Sequence, residues 1–195
     1  TAEMPGMYAK GDYDLAGFIV GVMDKKNILP RPDVAAGDVL VGLPSLGLHT
    51  NGYSLARKVL LEKMGLSVGS RPPGLPVTVG EALLAPHKSY LKALWPEIEQ
   101  KRIKALVHIT GGGFEGNIPR VLPAGVGARI HLDSWEIPAI FRLIAEGGPV
   151  ARDEMFRTFN MGIGMILVLA PGDAGPVEAS LRERGEICFR VGELV

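Results

Sequence analysis

The sequence has almost no cysteine: one thiol, Cys188, in 195 residues. A lone thiol makes neither an internal disulfide nor a cysteine-based zinc site, and it suits a reducing, cytoplasmic compartment. Charge of neither sign is in excess, because 21 Lys and Arg balance 21 Asp and Glu. Bulk attraction to nucleic acid or to an anionic membrane is therefore not the expected mode of action. Long apolar runs are missing as well. The longest charge-free stretches, 39–56 and 158–172, are interrupted by polar residues or too short for the roughly 20 apolar residues of a membrane span. An initiator Met is absent; the sequence opens Thr1-Ala2-Glu3, and the expectation is a processed or partial chain.

What is present is the balance of a folded core, 47% hydrophobic against 22% charged residues. Unbroken apolar runs at 16–23 and 38–43 predict strands covered on both faces. Residues 53–64 predict a helix, with Leu55, Ala56, Val59, Leu60 and Met64 on one stripe and Gly65 as its stop. A proline-rich loop covers 67–78. Tyr90, Leu91, Leu94, Trp95 and Ile98 share a helical face, with a kink or break at Pro96. Further strands are predicted at 104–108, 126–130, 161–169 and 188–195. A helix capped by Asp133 or Ser134 carries Ile137, Ile140, Phe141 and Ile144, and another opens at Pro176. Strands alternating with helices imply an α/β (α+β) fold, a mixed β-sheet layered with helices, in one domain over 1–195.

Two strand–loop–helix segments concentrate polar side chains beside glycine. The first runs GLHTNGYSLAR from Gly47 to Arg57. A helix N-terminus offers unpaired N–H groups and a positive dipole end, and Gly47 and Gly52 let the backbone approach a ligand. His49 can hydrogen-bond a phosphate or act as an acid. Asn51 can cap the helix or hold a ligand oxygen, and Ser54 and Arg57 share one helical face. An ordinary N-cap with a solvent-facing His49 fits the same spacing.

The second segment runs HITGGGFEGNIPR from His108 to Arg120. Three glycines after a strand let successive N–H groups converge on an anion. Gly111, Gly113 and Gly116 satisfy the dinucleotide pattern G-x-G-x-x-G, but Pro119 and Pro123 cut short the long helix that pattern needs. Asn117 stands where a Walker A loop requires Lys. A glycine turn without a ligand is the alternative.

Lesser signals carry less. Gly162 and Gly164 mark a face of the 161–169 strand that some other element or a ligand approaches closely. Asp12 and Asp14 read as a polar turn. His87 and His131 have no partners in sequence and no role is assigned to them. No Ser-His-Asp order, H-E-x-x-H or basic-aromatic stripe is present, so hydrolase, zinc-protease and nucleic-acid readings have no positive support.

Taken together, TAEMPGMY, YDLAGFIVGVM, GLHTNGYSLARK, HITGGGFEGNIPRVLP and RTFNMGIGM resemble, in unbroken order from Thr1 to Val195, the C-terminal half of the phosphoribosylformylglycinamidine cyclo-ligases, also called aminoimidazole ribonucleotide synthetases. The resemblance implies ring closure in purine biosynthesis, with formylglycinamidine ribonucleotide and ATP giving aminoimidazole ribonucleotide, ADP and phosphate in the presence of Mg2+. It implies a preceding N-terminal domain, absent from this chain, that supplies the ATP loop, most metal carboxylates and the contacts of a homodimer. It also implies that the isolated chain is inactive. His49 is then the residue nearest the chemistry. Thr50, Asn51, Ser54 and Arg57, with Thr110, Gly111, Gly112, Gly113 and Asn117, become substrate-binding residues. Glu3 becomes a neighbour of the nucleotide or metal. The expected partner is a small nucleotide substrate, not nucleic acid or a membrane. Alternatives are another ATP-dependent phosphotransferase of the same superfamily, a nicotinamide-binding oxidoreductase built on 111–116, and a non-catalytic fragment.

Overall fold

The computed structural model describes Gly11 and residues 17–195. Glu3, Asp12 and Asp14 lie outside the described residues. Five strands, β1 Val39–Pro44, β2 Ala105–His108, β3 Ala128–Ile130, β4 Ile163–Leu169 and β5 Phe189–Leu194, form one sheet in the order β2-β4-β1-β5-β3. Each of its four pairings is antiparallel. Among the described residues seven α-helices layer it: α1 Tyr53–Arg57, α2 Val79–Leu83, α3 Leu91–Glu99, α4 Gly113–Asn117, α5 Ala139–Gly147, α6 Arg152–Thr158 and α7 Pro171–Glu183. A π-helical stretch, Lys58–Lys63, continues α1, and a 3-10 turn, Ile118–Val121, continues α4.

The unbroken apolar patterns of β1 and β4 follow from burial on both sides. Leu40, Ile166 and Val168 pack with Phe141, Ile144 and Phe159 in the larger core, which Ile163 also joins at the register irregularity where β4 begins. Val41, Leu43, Leu167 and Leu169 face a second core with Leu94 of α3 and Val177 and Leu181 of α7. Alternate residues of one strand thus feed opposite layers, as a period of two requires. Glu97, fully buried in α3, ties the outer helices together, lying 2.5 Å from Arg102 and from Arg184 and accepting from Ser180.

Several expectations are corrected. Residues 17–23 form no strand, and Phe18, Ile19 and Val22 are more than nine-tenths exposed. Its apolar composition predicts a strand covered on both faces, but no neighbouring strand or helix covers it among the described residues. The helix expected from Asp133 or Ser134 opens later, after Pro138, because the Ser134 hydroxyl donates instead to the His131 carbonyl. Helix α7 opens at Pro171 and carries Pro176 inside its second turn, and α3 runs on past Pro96. The short helices α2 and α6 went unrecognised.

Candidate functional site

Strand topology brings the two polar segments together. β1 and β2 both pair antiparallel with β4, so they run parallel to one another on its two sides. Their C-terminal ends meet the N-terminal end of β4: Met165 lies opposite both Leu43 and His108. The loops after β1 and β2 therefore leave the sheet at one edge.

The first loop is held from β4. Asn160, buried just ahead of that strand, accepts from the Ser45 hydroxyl at 2.9 Å and from the Gly162 N–H at 2.8 Å. Its amide donates to the Gly47 carbonyl at 2.9 Å. Gly52 precedes α1 with φ 78° and is the residue that caps it; Asn51 makes no capping bond. A Cβ at Gly52 would lie 2.2 Å from the Phe159 ring, so only glycine fits.

His49 adopts a left-handed backbone, φ 56°, and is only 3% exposed, which removes the solvent-facing alternative. Its ring packs over the backbone of Gly164, where an added Cβ would lie 2.7 Å from Cε1 and 3.2 Å from Nδ1. The glycine marked in the β4 sequence is thus the floor beneath the histidine. Nε2 accepts long hydrogen bonds from the Leu46 and Lys88 N–H groups, at 3.3 and 3.5 Å. Nδ1 is buried without a partner among the described residues. Burial first, then His87, His108 and Lys88, pulls the His49 pKa down to about 4, so the ring is neutral at pH 7.

His87 stacks on His49 with centroids 4.1 Å apart and planes 19° from parallel, and His108 lies 5.1 Å from His87. Burial and His87 also lower the His108 pKa. His87 was given no role from sequence. Its only sequence signal is that it belongs to a set of four histidines, and its partners lie 38 and 21 positions away.

The second loop holds itself. The buried amide of Asn117 donates to the Gly113 carbonyl at 2.7 Å and reaches those of Thr110 and Gly111 at 3.3 Å. Its oxygen accepts from the Thr110 hydroxyl at 3.1 Å. Gly113 takes φ 58°, and a Cβ there would lie 1.7 Å from the Phe156 carbonyl. Asn117 thus acts on the loop itself rather than pointing outward.

The two loops touch. A Cβ on Gly111 would stand 3.2 Å from Asn51 Oδ1. Among the described residues, the N–H groups of 47–52 and of Gly111 and Gly112 donate to no protein acceptor, whereas Gly113 donates to Thr110. Beside the second loop a depression of about 230 Å³ is lined by His108, Thr110, Asn117 and Arg120. Thr50, Ser54 and Arg57 are exposed on the first side. The volume is below the roughly 300–1,000 Å³ usual for small-molecule sites. A larger depression, about 720 Å³, lies between residues 25–33 and Ile98, Lys101 and Ile103, and holds none of the candidate residues.

The family described as AIR synthase related protein, C-terminal domain, matches residues 35–195. The chain belongs to that family. Relatives agree along its whole length. A phosphoribosylformylglycinamidine cyclo-ligase of Alkaliphilus metalliredigens is 48% identical over 195 residues, all of this chain and 56% of the relative. One of Brevibacillus brevis is 50% identical over 194 residues, again 56% of the relative. The AIR synthase related chain therefore spans little more than half the length of these proteins. Among solved structures, thiamine-monophosphate kinase of Stenotrophomonas maltophilia superposes at TM-score 0.53 and 15% identity, over 83% of this chain and 48% of that one. Thermotoga maritima PurL complexed with ADP superposes at TM-score 0.50 and 14% identity, over 88% and 23%. These last two support the fold.

Proposed function

We propose that this chain is the substrate-binding half of a phosphoribosylformylglycinamidine cyclo-ligase, closing the imidazole ring of aminoimidazole ribonucleotide from formylglycinamidine ribonucleotide at the expense of ATP. The observation that carries the reading is the meeting of the two loops at Asn51 and Gly111, both with main-chain N–H groups that donate to no acceptor among the described residues, and with a shallow cleft beside the second loop. Such groups are suited to phosphate oxygens. A cleft this small fits a site completed by the remainder of the relatives' length, which would bring the ATP loop, metal carboxylates and homodimer contacts. ADP in a neighbour of this fold is consistent with nucleotide use. The compartment proposed is the cytoplasm.

In this reading the loop N–H groups of 47–52 and 111–112 bind and orient the phosphorylated substrate. Thr50, Asn51, Ser54 and Arg57 add hydroxyl, amide and guanidinium donors around it, and Thr110, whose hydroxyl donates to Asn117, can accept from the substrate. Asn117 and Gly113 keep the second loop in shape. Neutral His49, with Nε2 accepting, carries its proton on Nδ1 and can hydrogen-bond an oxygen of the phosphate formed on the formyl group, where negative charge grows as phosphate leaves. ATP supplies the phosphoryl group that turns that oxygen into a leaving group; attack by the amidine nitrogen then closes the ring and releases phosphate. Mg2+ takes oxygen ligands. The side chains that cluster here are imidazoles, so the described residues do not fit Mg2+, and no step is assigned to it.

The test is ring closure by the complete two-domain protein, with this chain supplying the C-terminal part. His49→Ala is expected to lower kcat by about a hundredfold or more, the usual yield of a positioned proton donor. Unchanged turnover removes His49 from the chemistry. Gly112→Val should abolish binding of formylglycinamidine ribonucleotide by bulk at a φ of 94°; normal affinity would make the second loop a purely structural turn.

A further inference from the structure

We propose that His49, His87 and His108 form a binding site for one borderline transition-metal cation of the Zn2+ class, separate from any Mg2+ used in catalysis. Each of the three offers a ring nitrogen, and these nitrogens lie within 4.8 Å of one another. The chain brings them from three distant places: the loop after β1, the segment after α2 and the last residue of β2. Three imidazoles with an open fourth position are a recurrent zinc donor set, and imidazole selects Zn2+, Co2+, Ni2+ or Cu2+ over Mg2+.

A second observation points the same way. His49 Nδ1 is buried and has no protein partner among the described residues, the kind of orphan a ligand satisfies. Coordination through Nδ1 moves the ring proton to Nε2, whose present contacts, at 3.3 and 3.5 Å, are long enough to yield, and takes away the Nδ1 proton used in ring closure, so the bound cation opposes catalysis rather than serving it. The charge most opposed to a cation here is the Lys88 ammonium, and Glu186 already holds it at 2.6 Å.

The rings must close by a modest amount. Tetrahedral ligands about 2.0–2.1 Å from zinc stand roughly 3.3 Å apart. His87 and His108 are exposed and have room to swing, while His49 is fixed by its loop. The stacked pair must also tilt, since rings 19° from parallel aim their lone pairs side by side rather than at one point.

The experiment is titration of the full 195-residue chain with Zn2+ alone and, for a spectrum, with Co2+ alone. One equivalent is expected to bind, with visible Co2+ bands of four-coordinate intensity. His87→Asn and His108→Asn should each weaken binding by about tenfold or more, since loss of even an outer partner costs a metal site that much. His131→Asn, at an exposed histidine outside the cluster, should leave it unchanged. Thermal melts of the variants report folding, and both substituted rings are at the surface. Octahedral Co2+ spectra, absence of one-to-one binding, or binding indifferent to His87 and His108 would each overturn the proposal. Ring closure that fails in His49→Ala while Zn2+ binding is absent would leave the cyclo-ligase reading standing alone.

Discussion

Each of the two loops is shaped by a buried asparagine, but the asparagines work over different distances. Asn117 holds carbonyls and a hydroxyl within seven residues of itself. Asn160 reaches back 113 positions to Gly47 and 115 to Ser45. The hydrogen bonds that shape the second loop are consequently local, although its glycine Gly113 also fits closely against Phe156 of α6. The first loop exists only when β1 and β4 are already paired. Local loops tolerate damage elsewhere; long-range ones report the integrity of the whole sheet.

The severest test of that distinction is at glycine. Gly113→Ala places a Cβ 1.7 Å from the Phe156 carbonyl at φ 58°, where backbone must move. A loss of about 4 kcal/mol or more is expected by chemical denaturation. Gly111→Ala has no positive φ and meets only the Asn51 side chain at 3.2 Å. It should cost under about 1 kcal/mol while loosening the contact between the loops. Equal losses at the two sites would mean that the close fit of Gly113 against Phe156 is not what fixes the second loop.

Next in size are the asparagines themselves. Asn160→Ala leaves the buried Ser45 hydroxyl and the backbone of Gly47 and Gly162 without partners, and about 3 kcal/mol should be lost. The loss should come with displacement of the His49 ring, visible as altered imidazole NMR shifts. Asn117→Ala should cost a similar amount but leave those shifts in place. Identical spectra for the two variants would break the contrast.

The same contrast decides what could be read from the sequence. The glycines and polar residues of both loops were visible because each loop is contiguous, and β1 and β4 were visible because burial on both faces leaves unbroken apolar runs. Asn160 was not singled out, since nothing within a few residues of it needs a clamp. His87 was passed over for the same reason: its partners arrive through the sheet. The run at 17–23 misled in the opposite direction, because strand-like composition cannot say whether a neighbour covers it. Gly164 was legible as a close approach but not as the floor under His49.

His49 gives a smaller, pH-dependent effect. Its pKa falls from an ordinary 6.5 to about 4 on folding, so the unfolded chain takes up protons first as pH drops. The sign is therefore destabilisation on acidification, setting in below about 6.5 and complete near 4. Between pH 7 and pH 5 about 2 kcal/mol should disappear. His49→Asn should flatten that part of the profile, measured as denaturation midpoints against pH. Asn117→Ala should not, because it leaves the buried ring where it is.

The smallest effect belongs to the exposed face of the first loop. Arg57 and Ser54 are at the surface of α1, and neither side chain makes a hydrogen bond among the described residues. Arg57→Ala should thus change stability by no more than about 0.5 kcal/mol, as surface substitutions do. If the N–H groups of 47–52 receive a substrate phosphate, the guanidinium one turn into the helix is within reach of the same anion. Affinity for formylglycinamidine ribonucleotide should then fall by about tenfold in the two-domain protein, the effect of losing one charge-assisted contact of about 1.5 kcal/mol. A stable variant with undiminished affinity would put the phosphate on the side of the second loop, near Arg120 rather than Arg57.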